Sequence, residues 1–460
     1  MDDPKRPAQE KIPPLNPGTV SSPARSRAAL GPEDRPELRP WQRAQGQEVL
    51  TELTAMATRG AQHQWQFRAR FRRQAFGWKS LPAIQRVKEA VSEIKKVARK
   101  DPILAAEGAV VFLEKVSPAL EHVDSSSGAI GTAVNHAIAD LVPIIASAPA
   151  DARTRETWLE RLFEAHAADE IPYIELLADH WGELCASKEV ASTWADRLVG
   201  ITRMALSRDK ERRGHFHGTS ACLSALFVAE RYAELLDVLD AESFWPYKRW
   251  GVKALSAQGN RADAIRYAES CRSPWASDQD IDGLCEDILL TSGMVDEAYR
   301  RYGLTAHRAG TYLAWFRAVA KRYPHKRPAG VLADLVELTP GDEGKWFAAA
   351  KDAGLFDEAI ALANRAPCDP RTLTRAARDF ADSNPAFAME AGMAAVSWLV
   401  EGYGYDITEA DVWAAYATTM RAADNARRRD ETHGRIRALV QKQGQPDRFV
   451  TTVIGRALGL

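Results

Sequence analysis

Apolar residues recur at three- and four-residue steps along most of this chain, which is the spacing of amphipathic α-helices. One buried face is expected to carry Ile84, Val87, Val91, Ile94 and Ala98. Further stripes of the same kind occupy residues 130–145, 158–163, 174–185 and 190–201. The pattern predicts an all-α protein.

Capping residues and prolines indicate where some of these helices begin. Asp101 precedes Pro102 and Ser117 precedes Pro118, so the sequence predicts a helix start at each of these two pairs. Pro143 lies inside an apolar stripe and predicts a kink. Antiparallel helices joined by short turns are typical of a HEAT-like array or a bundle.

A second pattern recurs in the carboxyl-terminal half. The stretch 254–268, ALSAQGNRADAIRYA, predicts a helix, a stop at Gly259 and a second helix with small Ala264 at the contact. The same frame occurs at Gly293 and at Gly354, each followed five residues later by alanine. Because glycine adopts a positive φ at little steric cost, we expect these three glycines at equivalent bends.

Three weaker copies lack the glycine but keep a small or apolar pair at the same offsets, and they begin at Glu230, His325 and Ser383. Successive copies are separated by 29 to 34 residues, which is the period of helical-hairpin arrays. The chain is therefore predicted to be an alpha-solenoid of antiparallel helix pairs. Tryptophans shortly before three of the origins are expected to pack between repeats: Trp250, Trp315 and Trp346.

The three glycine copies resemble the second half of a tetratricopeptide repeat, which carries glycine, an acidic residue and alanine at this spacing. The first-helix signature of that family does not occur at the matching offsets, so the array is described as tetratricopeptide-like. From about residue 71 to 419, the chain also resembles a group of uncharacterised bacterial helical-repeat proteins. This resemblance implies no established activity and carries no site residue over to this chain.

Composition divides the chain into four parts. Residues 1–40 contain nine of the 24 prolines and few periodic apolar positions, which predicts a disordered N-terminal leader. A HEAT-like helical block with a basic start is expected at 41–206, with its first helix at 41–59. The tetratricopeptide-like array is expected at 207–442, and 443–460 is expected to be a C-terminal tail.

Hydrophobic residues make up 45% of the chain and charged residues 27%, as in globular proteins. The sequence shows neither the apolar core of an export signal nor an uninterrupted apolar run of roughly 18 residues. These features predict a cytoplasmic protein without a membrane span. The cysteines show no close pair of the kind that binds zinc, so buried reduced thiols are expected at Cys185, Cys222, Cys271, Cys285 and Cys368.

Residues 59–100 carry 12 Lys or Arg against two Glu, in a chain of net charge −1. At 65–79, basic and aromatic residues interleave, as in proteins that bind phosphates and stack on bases. The candidates for binding nucleic acid or an acidic partner are Trp65, Arg68, Arg70, Arg72, Arg73, Trp78 and Lys79. The alternative is an amphipathic helix in which Phe67, Phe71 and Ala75 face the core and arginine stems cover its flanks.

Acidic residues gather further along the chain. Residues 151–190 contain ten acids against four Lys or Arg, and residues 276–299 contain seven acids and no Lys or Arg. Such runs are typical of solvated helix faces. On a repeat array they would also steer partners of opposite charge towards the concave surface.

The sequence contains no P-loop, nucleophile elbow, zinc-protease or kinase motif, so it gives no support for catalysis. His215 and His217 are weak metal candidates and would need a third ligand such as His180 or Cys222. The alternative is that both histidines are turn residues before a helix that starts near Gly218.

The leading functional hypothesis is a non-enzymatic scaffold or adaptor that binds a protein or peptide on a concave surface and uses no cofactor. The competing hypothesis is a nucleic-acid-binding accessory protein that acts through the segment 65–79. The sequence indicates neither the identity of a partner nor an oligomeric state.

Overall fold

The computed structural model describes residues 63–209, 211, 213–442 and 448–460. These residues form 22 α-helices joined by 3-10, π and turn segments, and they contain no β-strand. The all-α prediction is confirmed. The leader predicted at 1–40 and the helix predicted at 41–59 lie outside the described residues.

The amino-terminal part contains seven helices. They are α1 (Gln66–Arg70), α2 (Ser80–Ala98), α3 (Pro102–Leu120), α4 (Ala129–Ser147), α5 (Ala152–Ala167), α6 (Trp181–Leu184) and α7 (Lys188–Ala205), with a 3-10 segment at Glu175–His180 before α6. Helices α2, α3 and α4 pack on one another, and α5 lies against α3.

Fifteen more helices follow. They are α8 (Thr219–Val228), α9 (Tyr232–Val238), α10 (Trp245–Ala257), α11 (Arg261–Ser270), α12 (Asp278–Thr291), α13 (Val295–Ala298), α14 (Tyr312–Arg322), α15 (Pro328–Glu337), α16 (Phe347–Asp352), α17 (Phe356–Arg365), α18 (Pro370–Phe380), α19 (Pro385–Val400), α20 (Glu409–Asn425), α21 (Arg429–Lys442) and α22 (Arg448–Leu458). The main contacts of each helix are with helices close to it along the chain; α18, for example, packs on α19 and α20.

One of the two predicted proline starts is correct. Asp101 accepts a hydrogen bond from the Leu104 amide at 2.9 Å, and α3 begins at the residue after Asp101. The second predicted start is wrong, because α3 continues through Pro118. Buried packing of the last turn outweighs the hydrogen bond that proline removes. Ser117 does not cap a helix and instead donates its hydroxyl to Asp169.

Helix α4 is long and apolar enough to cross a membrane by length and composition alone, which the sequence prediction did not anticipate. Pro143 lies inside this helix. One face packs into the protein, with Ile138 and Leu141 fully buried. The opposite face is polar, and its Asp140 pairs with Lys95 at 2.6 Å. This amphipathic distribution is typical of a helix that packs one face against a protein core.

The buried guanidinium of Arg155 closes the carboxyl end of α4. It donates to the carbonyl oxygens of Ile145, Ala146 and Ala148 at 2.5, 3.3 and 2.7 Å. The last carbonyls of a helix have no partner within the helix. Arg155 therefore supplies hydrogen bonds that water cannot supply at this buried position.

The glycine turn is present at all three predicted places. Gly259, Gly293 and Gly354 have φ values of +84°, +76° and +73°. In each copy the amide after the glycine donates to the carbonyl five residues before that amide, at 2.9 Å. This arrangement is the Schellman motif that ends a helix. The alanines five positions after each glycine are fully buried where the paired helices touch: Ala264, Ala298 and Ala359.

The weaker copies have different outcomes. Glu230 makes the same turn at φ +57°, and the next amide donates to the Leu226 carbonyl at 3.0 Å. His325 and Ser383 also lie in turns, between α14 and α15 and between α18 and α19, but neither residue has a positive φ. The helices after them begin at a proline, whose fixed φ sets the entry of the chain instead. Arg427, which the sequence did not indicate, makes the turn at φ +56°.

The apolar cores cross the predicted boundaries. One cluster of buried residues runs from Trp65 to Ala254 and so spans the boundary predicted between residues 206 and 207. A second cluster runs from Tyr299 to Leu458 and includes α22, which packs on α20 and α21. The stretch predicted as a C-terminal tail, 443–460, contains α22, whose buried stripe is Val450, Ile454 and Leu458.

Buried cysteines and tryptophans match their predictions. All five cysteines are free and buried, and burial raises the pKa of Cys185 and Cys368 to about 12. Trp250, Trp315 and Trp346 are at most 4% exposed and lie in or beside first helices of their pairs. Such large rings contribute strongly to the packing of helices.

Polar bonds also join neighbouring repeats at about one repeat length. Three of them connect residues 35 positions apart: Arg317 to Asp352, Tyr299 to Asp334, and Trp398 to the Ala363 carbonyl. A regular separation of this size means that equivalent helices of successive pairs contact each other through similar positions.

Candidate functional site

The two candidate metal-binding histidines lie in the turn before α8. The ring centroids of His215 and His217 are 4.6 Å apart, and the buried His166 lies 6.3 Å from His217. Burial lowers the pKa of His166, and the imidazole of His217 lowers it further. The structure thus brings in a third histidine that the sequence did not indicate.

The third ligands predicted from the sequence do not join this pair. His180 contacts Glu183 at 3.2 Å, and Cys222 is fully buried, which raises the pKa of its thiol to about 11. In the described part of the chain, no group of three or more His, Cys, Asp or Glu side chains has a geometry that would hold a metal ion. His215 and His217 are turn residues.

The aromatic residues of segment 65–79 mostly belong to the core. Trp65, Phe67 and Phe71 are at most 6% exposed. Phe67 and Phe71 pack edge-on against Phe112, with ring centroids 5.7 and 5.1 Å away. These rings are not accessible for stacking on bases. Trp78 differs, because its side chain is 72% exposed.

The basic residues of the same segment divide into two groups. Arg70 pairs with Glu89 at 3.0 Å, and Arg73 pairs with Glu121 at 3.3 Å. The others are exposed and form no ion pair with any described residue: Arg68, Arg72 and Lys79. Phe67 and Phe71 face the core, as the alternative predicts. The predicted helix and the burial of Ala75 are wrong, because α1 ends at Arg70 and Ala75 is exposed. Part of the positive charge is neutralised locally.

A cleft of about 630 Å³ lies between α1 and α2, beside this segment. Arg70 and Arg86 line it together with Glu89, which pairs with both. Glu93 also lines the cleft and accepts the backbone amide of Gln66, at the start of α1, at 2.8 Å. The charged groups of the cleft are therefore largely committed to one another.

The acidic run at 276–299 is not simply a solvated face. Glu286 is 1% exposed and accepts hydrogen bonds from His307 at 2.9 Å and Tyr323 at 2.5 Å. Burial raises the pKa of Glu286, but the bonds from His307 and Tyr323 outweigh that effect and lower it overall. Asp282 is also buried and accepts from Arg272.

A different arrangement occurs between α18 and α20, where a groove of about 240 Å³ is open to solvent. Arginines of α18 form one wall, α20 contributes Asp411 and Ala414 to the other, and Leu399 of α19 lies between them. The groove thus combines one cationic wall with apolar side chains from α19 and α20.

The sequence of α18 explains why its arginines share one face. Asp369 accepts hydrogen bonds from the first amides of the helix, and Pro370 occupies the first helical position. Leu373, Ala376 and Ala377 are buried. Residues three and four apart lie on the same side of a helix, so the opposite face carries Arg371, Arg375 and Arg378.

Arg371 spans the groove and fixes its width. Its guanidinium donates two bonds of 2.9 Å to the Asp411 carboxylate and one of 2.7 Å to the Asp406 carbonyl. Asp411 also accepts the Thr408 amide at 2.9 Å, which completes a capping box at the start of α20. The hydrogen bonds from Arg371 hold the pKa of Asp411 well below its usual range.

The other two arginines remain open to binding. Arg375 is exposed and forms no ion pair with any residue that the structure describes. Among the residues described by the structure, Arg378 pairs only with Asp379, its neighbour in the same helix, at 2.8 Å. Guanidinium groups present several N–H donors in a planar fork that matches carboxylates and phosphates. The groove is therefore suited to an anionic ligand.

Sequence reasoning missed these arginines. Helix α18 carries three arginines and one aspartate among 11 residues, which does not stand out as a basic run. The sequence signal that could have revealed them is the separation of apolar and basic residues of α18 onto opposite faces of the helix.

No protein-family model matches the sequence, and a search of curated proteins gives no significant match. The functional conclusion therefore rests on the chemistry of the chain's own residues.

Proposed function

We propose that the protein is a non-enzymatic helical-repeat scaffold or adaptor that binds a protein or peptide partner on the surface formed by the first helices of its repeats. The observation that carries this proposal is the groove between α18 and α20. There, Arg375 and Arg378 face solvent over the apolar side chain of Leu399. Guanidinium groups that are available for pairing beside an apolar side chain favour recognition of a polypeptide, because a polypeptide offers both charged and apolar side chains.

The proposal includes an alpha-solenoid arrangement of the repeats. Contacts between sequence neighbours, the recurring Schellman turn and bonds at a 35-residue separation support it. In such arrays the first helices, here α10, α12, α14, α16, α18 and α20, line one extended surface. The charge of this surface would change in blocks, because α12 carries five acids and no Lys or Arg whereas α18 carries three arginines.

We also propose a cytoplasmic location, which the five free, buried thiols support because disulfides are rare in that compartment. Membership of the bacterial helical-repeat group stays a prediction.

Affinity purification of the full-length chain from its native cells, followed by reconstitution with the purified partner, tests the proposal. We expect a partner that forms a stoichiometric complex with the purified chain in size-exclusion chromatography with light scattering. Failure of every co-purifying protein to bind the purified chain directly would contradict the scaffold function.

A further inference from the structure

The groove between α18 and α20 also indicates what kind of partner the protein takes, and this inference rests on the proposed scaffold function. We infer that the groove binds an extended acidic segment of a partner protein, with two carboxylates at alternate positions. One carboxylate pairs with Arg375 and the other with Arg378.

The spacing of the two arginines fits this ligand. Residues three apart on a helix have Cβ atoms about 5–6 Å apart. Alternate side chains of an extended peptide point to the same face and lie about 6.6 Å apart. The long arginine side chains absorb the small difference, so each guanidinium of Arg375 and Arg378 meets one carboxylate of an acidic-X-acidic sequence.

The groove is held open before the ligand arrives. Arg371 and Asp411 are joined by two bonds of 2.9 Å, and Asp411 is further fixed by the backbone of Thr408. These bonds tie α18 to α20 and leave the charge of Asp411 offset by Arg371. A preformed site loses less conformational entropy when it binds.

Binding requires little rearrangement of existing contacts. Arg375 has no carboxylate to exchange among the described residues, and the partner of Arg378 is the exposed Asp379. Exposed ion pairs of this kind contribute little to stability. A carboxylate of the ligand therefore shares the donors of Arg378 at small cost.

An acidic peptide fits the groove better than a nucleic acid does. A groove that binds nucleic acid combines many basic side chains with aromatic rings on which bases stack. This groove offers two guanidinium groups for pairing, and none of its lining residues is aromatic. Its volume of about 240 Å³ accommodates a few side chains. Leu399 and Ala414 offer apolar contact to the residue beside the carboxylates.

The test uses the full-length protein and a fluorescein-labelled peptide of alternating glutamate and alanine, followed by fluorescence anisotropy. A peptide of alternating glutamine and alanine is the uncharged control. We expect the glutamate peptide to bind and the glutamine peptide to bind at least about tenfold more weakly. Equal affinity for the two peptides would overturn the inference.

The key variant is Arg375→Glu combined with Arg378→Glu, and its matched control is Arg68→Glu combined with Arg72→Glu. Both change the net charge by the same amount at two exposed arginines. We expect the groove variant to lose about tenfold or more in affinity for the glutamate peptide and the control variant to keep it. Equal losses in the two variants would mean general electrostatic attraction and would overturn the site.

Circular dichroism and the midpoint of thermal unfolding show that the variants are folded. The neutral pair Arg375→Gln with Arg378→Gln provides a second test that introduces no new charge, and it should also weaken binding. An oligonucleotide of equal charge that displaces the peptide as well as unlabelled peptide does would overturn the inference in favour of a nucleic-acid surface.

The native partner separates this inference from the scaffold function. If the partner binds wild type and the Arg375→Glu, Arg378→Glu variant equally, the scaffold function stands and the groove assignment fails. If no protein partner binds wild type, the scaffold function fails whatever the peptide does.

Discussion

The basic segment 65–79 and the arginine face of α18 carry similar charge but present it differently. In the segment, most aromatic rings are buried, and Arg70 and Arg73 pair with nearby glutamates. Arg68, Arg72 and Lys79, which form no ion pair with a described residue, do not line the cleft beside α1. In α18, Arg375 and Arg378 line a groove, and the acidic residue on its opposite wall, Asp411, is already paired with Arg371. The comparison teaches that available charge depends on helix face and existing partners more than on density in the sequence.

The largest effect should come from removing a ring of the basic segment. Phe71 is 1% exposed and contacts the rings of Phe67, Phe76 and Phe112. We expect Phe71→Ala to lower the free energy of unfolding by about 3–5 kcal/mol, because it leaves a cavity in the core. Chemical denaturation followed by circular dichroism measures the change. The exposed Trp78→Ala is the control, and a cost below about 1 kcal/mol for Phe71→Ala would show that the segment is not part of the core.

A smaller effect on stability is expected from removing the ion pair between Arg371 and Asp411, which crosses the groove. The pKa of Asp411 in the folded protein lies below its ordinary value of 3.8 because of the bonds from Arg371. Its ionised form therefore contributes stability above pH 3.8, and the contribution is lost as the pH falls through the lowered pKa. We expect Asp411→Asn to destabilise by about 1 kcal/mol at neutral pH, since it weakens a helix cap and an ion pair.

Thermal melts of wild type and Asp411→Asn between neutral and acidic pH check this expectation. The gap between the two melting temperatures should narrow below pH 3.8. Glu89→Gln, which changes an exposed carboxylate paired with the basic segment, should give a smaller gap. If the difference in melting temperature between wild type and Asp411→Asn widened on acidification, the result would contradict the stabilising ion pair between Arg371 and Asp411.

The smallest effect should follow from changing the exposed arginines of the basic segment. We expect Arg68→Glu with Arg72→Glu to alter the free energy of unfolding by less than about 0.5 kcal/mol, because neither side chain has a described ion-pair partner. With most of the segment's rings buried, neither wild type nor this variant should retard single-stranded DNA or RNA at physiological salt. Retardation by wild type that the variant abolishes, and that falls steeply with salt, would favour the nucleic-acid hypothesis instead.

The sequence predicted those parts of the fold that local residues determine. Gly259, Gly293 and Gly354 were predictable because their positive φ suits glycine better than other residues. The same turn at Arg427 was not, because there the packing of α20 and α21 imposes a φ that arginine does not prefer. Helix α22 was not predicted within the stretch expected to be a C-terminal tail, although its apolar positions recur every four residues.

The candidate site was less predictable than the fold. Whether an arginine is free depends on carboxylates far along the chain, and the partner of Arg371 lies 40 positions away. Conversely, Trp65 was a candidate for binding, but in the structure it is 6% exposed and packs against the ring of Phe67. Local spacing gives the face of a helix but not what that face meets.

The restriction of helix contacts to sequence neighbours has a consequence for synthesis on the ribosome. Each newly emerged helix meets its packing partners among helices made shortly before it or shortly after it. The nascent chain from α1 onward can therefore acquire native structure progressively, without waiting for its carboxyl end to be translated.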